Sequence, residues 1–210
     1  MSKNILVVCA HPDDSEIGMG GSMLKYIHEN KPIVQIIFSK GEKSHPHLKS
    51  SIIAKTRKRE SKKVAKEIGI KETIYFDLAD TKLSTKITNK TKERLRNIIQ
   101  KYKPQKIFTL PSKDTHPDHR AVNKAVLEVV DSLKTKYPVY TFQVWNIFPE
   151  NRPILKVDIS DYFNEKIRIM KQHKSQWFSI YLQLIPVFLR AKLSGIQHNC
   201  KYAEIFYKAR

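Results

Sequence analysis

Cysteines, acidic residues and long apolar runs are scarce in this sequence of 210 residues. Its two cysteines, Cys9 and Cys200, cannot form a disulfide framework, which favours a reducing, cytoplasmic compartment. The longest apolar segment, residues 177–189, is interrupted by polar residues and is shorter than the ~20 residues of a membrane span. Near the start, the apolar run at residues 5–10 is too short for a signal peptide. The sequence therefore predicts neither a secreted disulfide-rich protein nor a membrane-spanning one.

Acidic side chains are outnumbered by basic ones: 20 Asp and Glu stand against 39 Lys and Arg, for a net charge of +19. A hydrophobic content of 40% excludes the disorder that high net charge alone would permit. Most of the excess lies in residues 40–106, with 20 basic and 7 acidic side chains. This basic segment either attracts an anionic partner, such as nucleic acid, phospholipid or a phosphorylated small molecule, or forms a lysine-rich solvated surface. The solvated surface is the favoured interpretation.

Alternating strand and helix patterns predict an α/β fold. Continuous apolar runs at residues 5–10, 33–38, 73–77 and 106–110 are typical of buried strands, and each is followed by a predicted helix. Four consecutive strand–helix units favour a three-layer, Rossmann-like, mostly parallel and doubly wound sheet. We expect a single domain over residues 1–210, with a less regular, substrate-side portion from about residue 150.

Two polar loops follow predicted strands and carry most of the chemistry. One loop, residues 10–21, follows the first strand, and the other, residues 111–120, follows the strand that ends at Leu110. Both are rich in imidazole and carboxylate groups. Because parallel strands bring their carboxyl ends to one edge of a sheet, the loops can meet there. Their combined side chains are His11, Asp13, Asp14, Asp114, His116, Asp118 and His119.

This set of side chains contains the ligands of a catalytic metal. Catalytic zinc is held by three nitrogen or oxygen ligands with one open position, and it lowers the pKa of water to near 7. Either loop alone is better explained by helix capping. The two together favour a metal site with a carboxylate and an imidazole left over for acid–base work and charge stabilisation.

The motifs resemble those of the PIG-L/LmbE-like family of zinc-dependent N-acetylglucosaminyl deacetylases. The resemblance rests on Ala10-His11-Pro12-Asp13-Asp14-x-Glu16-Ile17-Gly18 and His116-Pro117-Asp118-His119. Weaker similarity extends along the chain, at Arg57-x-x-Glu60, Asp80-x-x-Leu83, His173-x-Ser175-Gln176 and Tyr202-Ala203-Glu204-x-Phe206. It implies a hydrolase that removes the N-acetyl group from an N-acetylglucosamine or related amino-sugar conjugate, releasing acetate and a free amine.

The resemblance also implies roles for individual residues. His11, Asp14 and His119 become the ligands of Zn²⁺ or another divalent metal. Asp13 becomes the general base that deprotonates the attacking water. The remaining roles fall to His116, which stabilises the oxyanion as an imidazolium, Asp118, which orients His116, and Arg57, which contacts the sugar or an anionic aglycone. Arg57 is equally well explained as a surface residue of a basic run.

Other functions remain as alternatives. A basic protein that binds nucleic acid or an anionic surface is one, but no nucleic-acid motif is present and we expect no such partner. A non-catalytic metal-binding member of the same fold is another. The expected partner is an amino-sugar conjugate whose aglycone is anionic or lipid-linked. Residues 177–189 form either a peripheral membrane contact beside such a substrate or, as we favour, a hydrophobic lid or a homo-oligomer contact.

Overall fold

In the part of the chain that the structure describes, seven strands form one mixed sheet in which the first five strands run parallel. The structure is a computed structural model that describes residues 4–45, 48–145 and 151–210. The strands are β1 Ile5–Cys9, β2 Ile33–Ser39, β3 Glu72–Leu78, β4 Lys106–Thr109, β5 Val139–Thr141, β6 Ile154–Asp158 and β7 Ala203–Lys208. Their order is β3-β2-β1-β4-β5-β7-β6, and β7 pairs antiparallel with both β5 and β6. The predicted α/β class with a mostly parallel sheet is confirmed.

Helices cover both faces of this sheet. They are α1 Asp14–His28, α2 Ser50–Ile68, α3 Leu83–Lys86, α4 Asn89–Tyr102, α5 Pro117–Asp131, α6 Phe163–Met170 and α7 Trp177–Gln197, with a 3₁₀ turn at Lys174–Gln176. Local sequence explains several boundaries. Pro117 begins α5, where its missing N–H costs nothing, and Gly69 ends α2 with a φ of +87°.

The apolar runs of β1 and β2 form the centre of the core. Every residue of both strands is buried, as expected for parallel strands covered on both faces. Gln35 is a buried polar residue within β2, and its side chain donates to Ser15 Oγ at 2.7 Å and accepts from Thr73 at 3.1 Å. This polar residue is tolerated because its amide is paired.

The sheet order places a topological switch point between β1 and β4. The chain runs from β1 outward to β2 and β3, then returns to the other side of β1 to form β4. The register pairs Val7 with Phe108, so the two strands end close together. Open α/β sheets bind ligands at this point, beyond the carboxyl ends of the strands.

The C-terminal part of the chain is more regular than the sequence predicts. It supplies β6, α6, α7 and β7, and β7 extends the same sheet. Glu204 of β7 also connects it to α1, because its carboxylate accepts from the N–H groups of Gly21 and Ser22. These N–H groups follow Met19, whose φ of −146° interrupts α1. A side chain on β7 therefore satisfies backbone groups that the interrupted helix leaves unpaired.

Candidate metal centre and active site

The loops after β1 and β4 converge at the switch point. His11 lies just beyond β1, Asp14 is the first residue of α1, and His119 is the third residue of α5. All three are buried, with exposed fractions of 8%, 2% and 0% respectively. Fully buried ionisable side chains are rare unless they are paired or bind a metal, so their partners decide what this site does.

The donor atoms of these three residues face one another. His11 Nδ1 lies 3.3 Å from His119 Nε2, and Asp14 Oδ1 lies 3.3 Å from the same His119 nitrogen. Asp14 is fixed by the backbone, because its Oδ2 accepts from the N–H groups of Ala10 at 3.0 Å and His11 at 2.7 Å. One atom from each residue lies within 4.8 Å of the other two. Two imidazoles and one carboxylate in this arrangement fit a divalent metal of the zinc type.

Two further carboxylates lie beside the imidazole nitrogens that face away from the metal position. Asp80 Oδ1 lies 3.1 Å from His11 Nε2, and Asp114 Oδ2 lies 3.1 Å from His119 Nδ1. Carboxylates in this outer position orient metal-binding histidines and increase their basicity. Asp114 is one of the loop side chains expected at this site from the sequence, whereas Asp80 had no predicted role in it. Asp80 follows β3, so only the assembled sheet brings it to His11.

Electrostatics favour a positive charge at this point. Burial by itself lowers the pKa of His119, but the carboxylates of Asp14 and Asp114 raise it to about 9. Burial likewise raises the pKa of Asp14, yet His119 and His11 bring it well below its usual range. The pKa of His11 is also raised, since Asp14, Asp118 and Asp80 outweigh its burial. The site therefore stabilises cations between these side chains, either protons or a metal ion.

Asp13 lies outside the ligand group and pairs with Arg57. Arg57 Nη2 donates to Asp13 Oδ1 at 2.7 Å, and Nη1 donates to the carbonyl of Gly41 at 3.0 Å. Arg57 is only 4% exposed, so the surface interpretation of this arginine is wrong. Gly41 allows the contact, since it has a φ of +66° and a Cβ there would lie 2.3 Å from Arg57 Nη1. Sequence reasoning missed Gly41, although its position in a loop after β2 was a signal.

His116 is held in one tautomer by the start of α5. Its Nδ1 accepts from the backbone N–H of Asp118 at 3.2 Å, so the proton of the neutral ring lies on Nε2. Burial and the neighbouring His11 and His119 lower the pKa of His116, which favours the neutral ring over an imidazolium. A neutral His116 thus presents an Nε2–H donor.

The carboxylate of Asp118 does not contact His116, which it was expected to orient. Its carboxylate accepts from the N–H groups of Thr81 at 2.8 Å and Leu83 at 3.0 Å, and it lies 3.6 Å from His11 Nε2. The backbone N–H of Asp118 makes the contact to His116, and its carboxylate secures the loop after β3. His11, His116 and Asp118 form a second group with donor atoms within 4.8 Å.

A cavity of about 190 Å³ opens beside these side chains. His11, Asp13, Asp14, Arg57 and His116 line it together with Ile17, Lys43, Ser44, Asp80, Thr81, Val144, Trp145, Gln176 and Ser179. Its walls combine a carboxylate, a guanidinium, an imidazole donor and two of the three candidate metal ligands, His11 and Asp14. Such a set can activate water against a polarised carbonyl group.

Glu16 lies buried beneath the cavity with incomplete hydrogen bonding. Ser15 Oγ donates to its Oε2 at 2.9 Å, whereas Oε1 has no hydrogen-bond partner within the described part of the chain. His173 Nε2 lies 3.9 Å from the same carboxylate. Burial raises the pKa of Glu16 to about 8, which keeps it protonated at neutral pH.

Comparisons with known proteins bear on this site. A family profile described as PIG-L: GlcNAc-PI de-N-acetylase matches residues 6–130. The chain is 26% identical over 220 residues to the diacetylchitobiose deacetylase of Thermococcus kodakarensis, covering 96% of this chain and 81% of that protein.

Solved structures share the fold. The N,N'-diacetylchitobiose deacetylase from Pyrococcus horikoshii, complexed with an inhibitor, superposes with a TM-score of 0.83 at 24% identity, covering 99% of this chain and 84% of that one. GalB, the 4-carboxy-2-hydroxymuconate hydratase from Pseudomonas putida, superposes with a TM-score of 0.85 at 19% identity, covering 100% and 97%. Because these two enzymes catalyse different reactions, the fold alone does not select the chemistry.

Proposed function

Because the chain belongs to the PIG-L family of GlcNAc-PI de-N-acetylases, we propose that it is a metal-dependent hydrolase that removes the acetyl group from an N-acetylglucosamine or related amino-sugar conjugate. The family expected from the sequence motifs is thereby confirmed. One observation carries the proposal: His11, Asp14 and His119 converge on one point, with Asp13 and His116 lining the same cavity. The reaction consumes one water and yields acetate and a free amine.

We propose His11, Asp14 and His119 as the metal ligands and zinc as the metal. Two imidazoles and a carboxylate form a donor set that zinc accepts in catalytic sites, and no cysteine is needed. When bound, a divalent metal supplies Lewis acidity and lowers the pKa of water toward neutrality. Loading the metal displaces protons from the two imidazoles, so its affinity falls as the pH drops below about 9, the pKa of His119.

Asp13 acts as the general base in this proposal. Its carboxylate lines the cavity but does not belong to the ligand set, so it can accept a proton from the attacking water while its Oδ1 accepts from Arg57. Oxygen–carbon bond formation at the acetyl carbonyl then gives a tetrahedral intermediate. The same proton passes to the leaving nitrogen as the carbon–nitrogen bond breaks, which returns Asp13 to its ionised form.

His116 stabilises the negative charge on the former carbonyl oxygen. The Asp118 N–H that occupies Nδ1 leaves the Nε2–H as the donor. A pre-oriented donor of this kind contributes about 10²–10³ in kcat because it does not reorganise during the reaction. Asp118 serves this step as a positioning residue, through its backbone N–H.

Acetate release from defined N-acetylated sugars tests the proposal. The panel combines GlcNAc conjugates with neutral, anionic and lipid aglycones, with and without a chelator. We expect chelator-sensitive acetate release, and Asp13→Asn should lower kcat by about 10²–10⁴ while metal content stays unchanged. Asp77→Asn removes an exposed carboxylate and is the matched control.

Two outcomes would contradict it. Full turnover by Asp13→Asn would remove that residue as the base. Metal-dependent addition of water to an unsaturated acid, with no acetate released from any conjugate, would instead associate the protein with hydratase chemistry.

We propose that Arg57 has two roles: it pairs with Asp13, and it contacts the substrate. It lines the cavity while its guanidinium pairs with the base. Arg57→Lys separates the two roles by kinetics. Loss of a contact to an anionic aglycone raises KM for anionic conjugates only, whereas a misplaced Asp13 lowers kcat for all conjugates. An unchanged KM for every conjugate would exclude the substrate contact.

A further inference from the structure

Helix α7 presents an apolar face to solvent. Nine large apolar side chains lie on it, each 42–70% exposed: Trp177, Phe178, Tyr181, Leu182, Ile185, Phe188, Leu189, Leu193 and Ile196. The opposite face, with Ile180, Val187 and Ala191 among its buried residues, packs on the protein. The helix therefore uses one apolar stripe for the core and leaves a second one uncovered.

The exposed apolar surface of α7 is large compared with the apolar patches found on monomeric proteins. An aromatic side chain has about 150–250 Å² of surface, so the four exposed rings alone present roughly 300–500 Å². The largest apolar patch on a typical monomer is about 300–600 Å² in total, and five aliphatic side chains add to the rings here. A surface of this size indicates a binding partner.

The sequence on either side of α7 is rich in basic residues and poor in acidic ones. No Asp or Glu occurs between Glu165 and Glu204 in the sequence, a stretch that contains the whole helix. Basic residues flank the apolar face instead: Lys171, Lys174, Lys192 and Lys201. Lys171 Nζ lies 5.9 Å from the ring of Tyr181, and Lys192 Nζ lies 5.7 Å from that of Tyr202, so cationic groups border the aromatic ones.

We propose that the outer face of α7 docks on an anionic lipid bilayer, with its rings at the level of the headgroups. An apolar face bordered by Lys and bearing Trp, Phe and Leu is typical of helices that lie in the membrane interface. A second copy is the poorer occupant. A symmetric contact would bring the same lysines of two chains together in a protein of net charge +19, whereas anionic lipid neutralises them.

The docked helix lies on the bilayer and does not cross it. Within residues 4–45, 48–145 and 151–210, no helix is long and apolar enough to span a membrane. Gln176 and Ser179, at the start of α7, line the candidate catalytic cavity. Docking thus holds the cavity next to the lipid surface.

Vesicle co-sedimentation without any substrate tests the docking, so its result is independent of catalysis. The probes are vesicles of phosphatidylcholine alone and of phosphatidylcholine mixed with phosphatidylglycerol. We expect the purified protein to sediment with the mixed vesicles, and the bound fraction to fall with added salt. Ile185→Asp places a carboxylate at the most exposed apolar residue of α7 and should weaken binding about tenfold or more.

The control variant is Ile52→Asp, which makes the same change at a residue 53% exposed on α2. It should bind vesicles like the wild type, and both variants should retain acetate release from a water-soluble conjugate. Absence of sedimentation with the mixed vesicles, or undiminished binding by Ile185→Asp, would overturn the proposal. So would a lipid-free dimer that Ile185→Asp converts to a monomer, because a second copy would then cover the face.

Discussion

The cavity at the ends of β1 and β4 and the outer face of α7 both depart from the usual distribution of polarity, in which charged groups are exposed and apolar groups are buried. In the cavity, carboxylates and imidazoles are buried; on α7, aromatic and aliphatic side chains are exposed. Some of the buried groups find partners within the chain, as Asp14 does with two backbone N–H groups and Asp13 does with Arg57. The exposed side chains of α7 face outward, where a partner must come from outside.

Each region carries a free-energy cost in the folded protein, and that cost indicates its function. Burying ionisable groups costs free energy unless they are paired, so the cavity is constructed for charge that arrives with a metal or develops during a reaction. Exposing apolar surface costs free energy until something covers it. The first region predicts chemistry and the second predicts association, and each can be disturbed without the other.

The largest effect should come from removing a ligand. His119→Ala leaves Asp14 and Asp114 buried without their imidazole, and two remaining ligands hold metal poorly. We expect metal content to fall below a tenth of wild type, and turnover to fall on the order of a thousandfold with the loss of Lewis acidity. Elemental analysis and acetate release measure both.

His28→Ala removes an exposed imidazole outside the cavity and provides the control. Unchanged metal content in His119→Ala would show that the metal is held elsewhere.

A smaller effect should follow from Glu16, through the pH dependence of stability. Its pKa is about 8 in the folded protein against 4.5 ordinarily, so between these values the unfolded chain has already released a proton that the folded chain keeps. The free energy of unfolding therefore falls as the pH rises through this window. Relative to Glu16→Gln, the fall is about 4 kcal/mol, at 1.36 kcal/mol per pKa unit.

Urea unfolding in the presence of a chelator, from pH 4.5 to 8, measures this difference. Glu93→Gln changes a carboxylate on the surface and should give no comparable trend. A constant difference between wild type and Glu16→Gln would show that the buried carboxylate is ionised.

The smallest effect should occur on α7. Ile185 is 70% exposed, so Ile185→Ala should change the free energy of unfolding by less than about 0.5 kcal/mol in lipid-free buffer. The same substitution at a fully buried isoleucine, Ile37→Ala in β2, should lower the free energy of unfolding by about 2–5 kcal/mol. Chemical denaturation at several protein concentrations measures both. A concentration-dependent loss at Ile185 would mean that copies of the chain cover the face.

Much of the fold was predictable because its signals are local. The apolar runs of β1 and β2 and the stop at Gly69 depend on neighbouring residues, and the structure places strands and a helix end there. The C-terminal part was less predictable, because the portion expected to be less regular from about residue 150 contains β6, α6, α7 and β7.

The candidate site was predictable to the extent that parallel strands share an edge. That rule brought together the loops holding His11 and His119 without any knowledge of distances. It did not identify Asp80 behind His11 or Gly41 beneath Arg57, because these belong to the loops after β3 and β2. Their roles depend on the packing of several elements at once, which no local pattern records.

The chemistry available to this protein follows from its amino-acid order: the succession of strands and helices, the two loops with their imidazoles and carboxylates, the excess of lysine, and an apolar segment at residues 177–189. Which groups meet and which stay exposed depends on the tertiary structure. It paired Asp13 with Arg57, set the tautomer of His116 through a backbone N–H, and turned nine apolar side chains of α7 outward. The reason is physical: composition and periodicity act over a few residues, whereas burial and contact depend on elements distant in the chain.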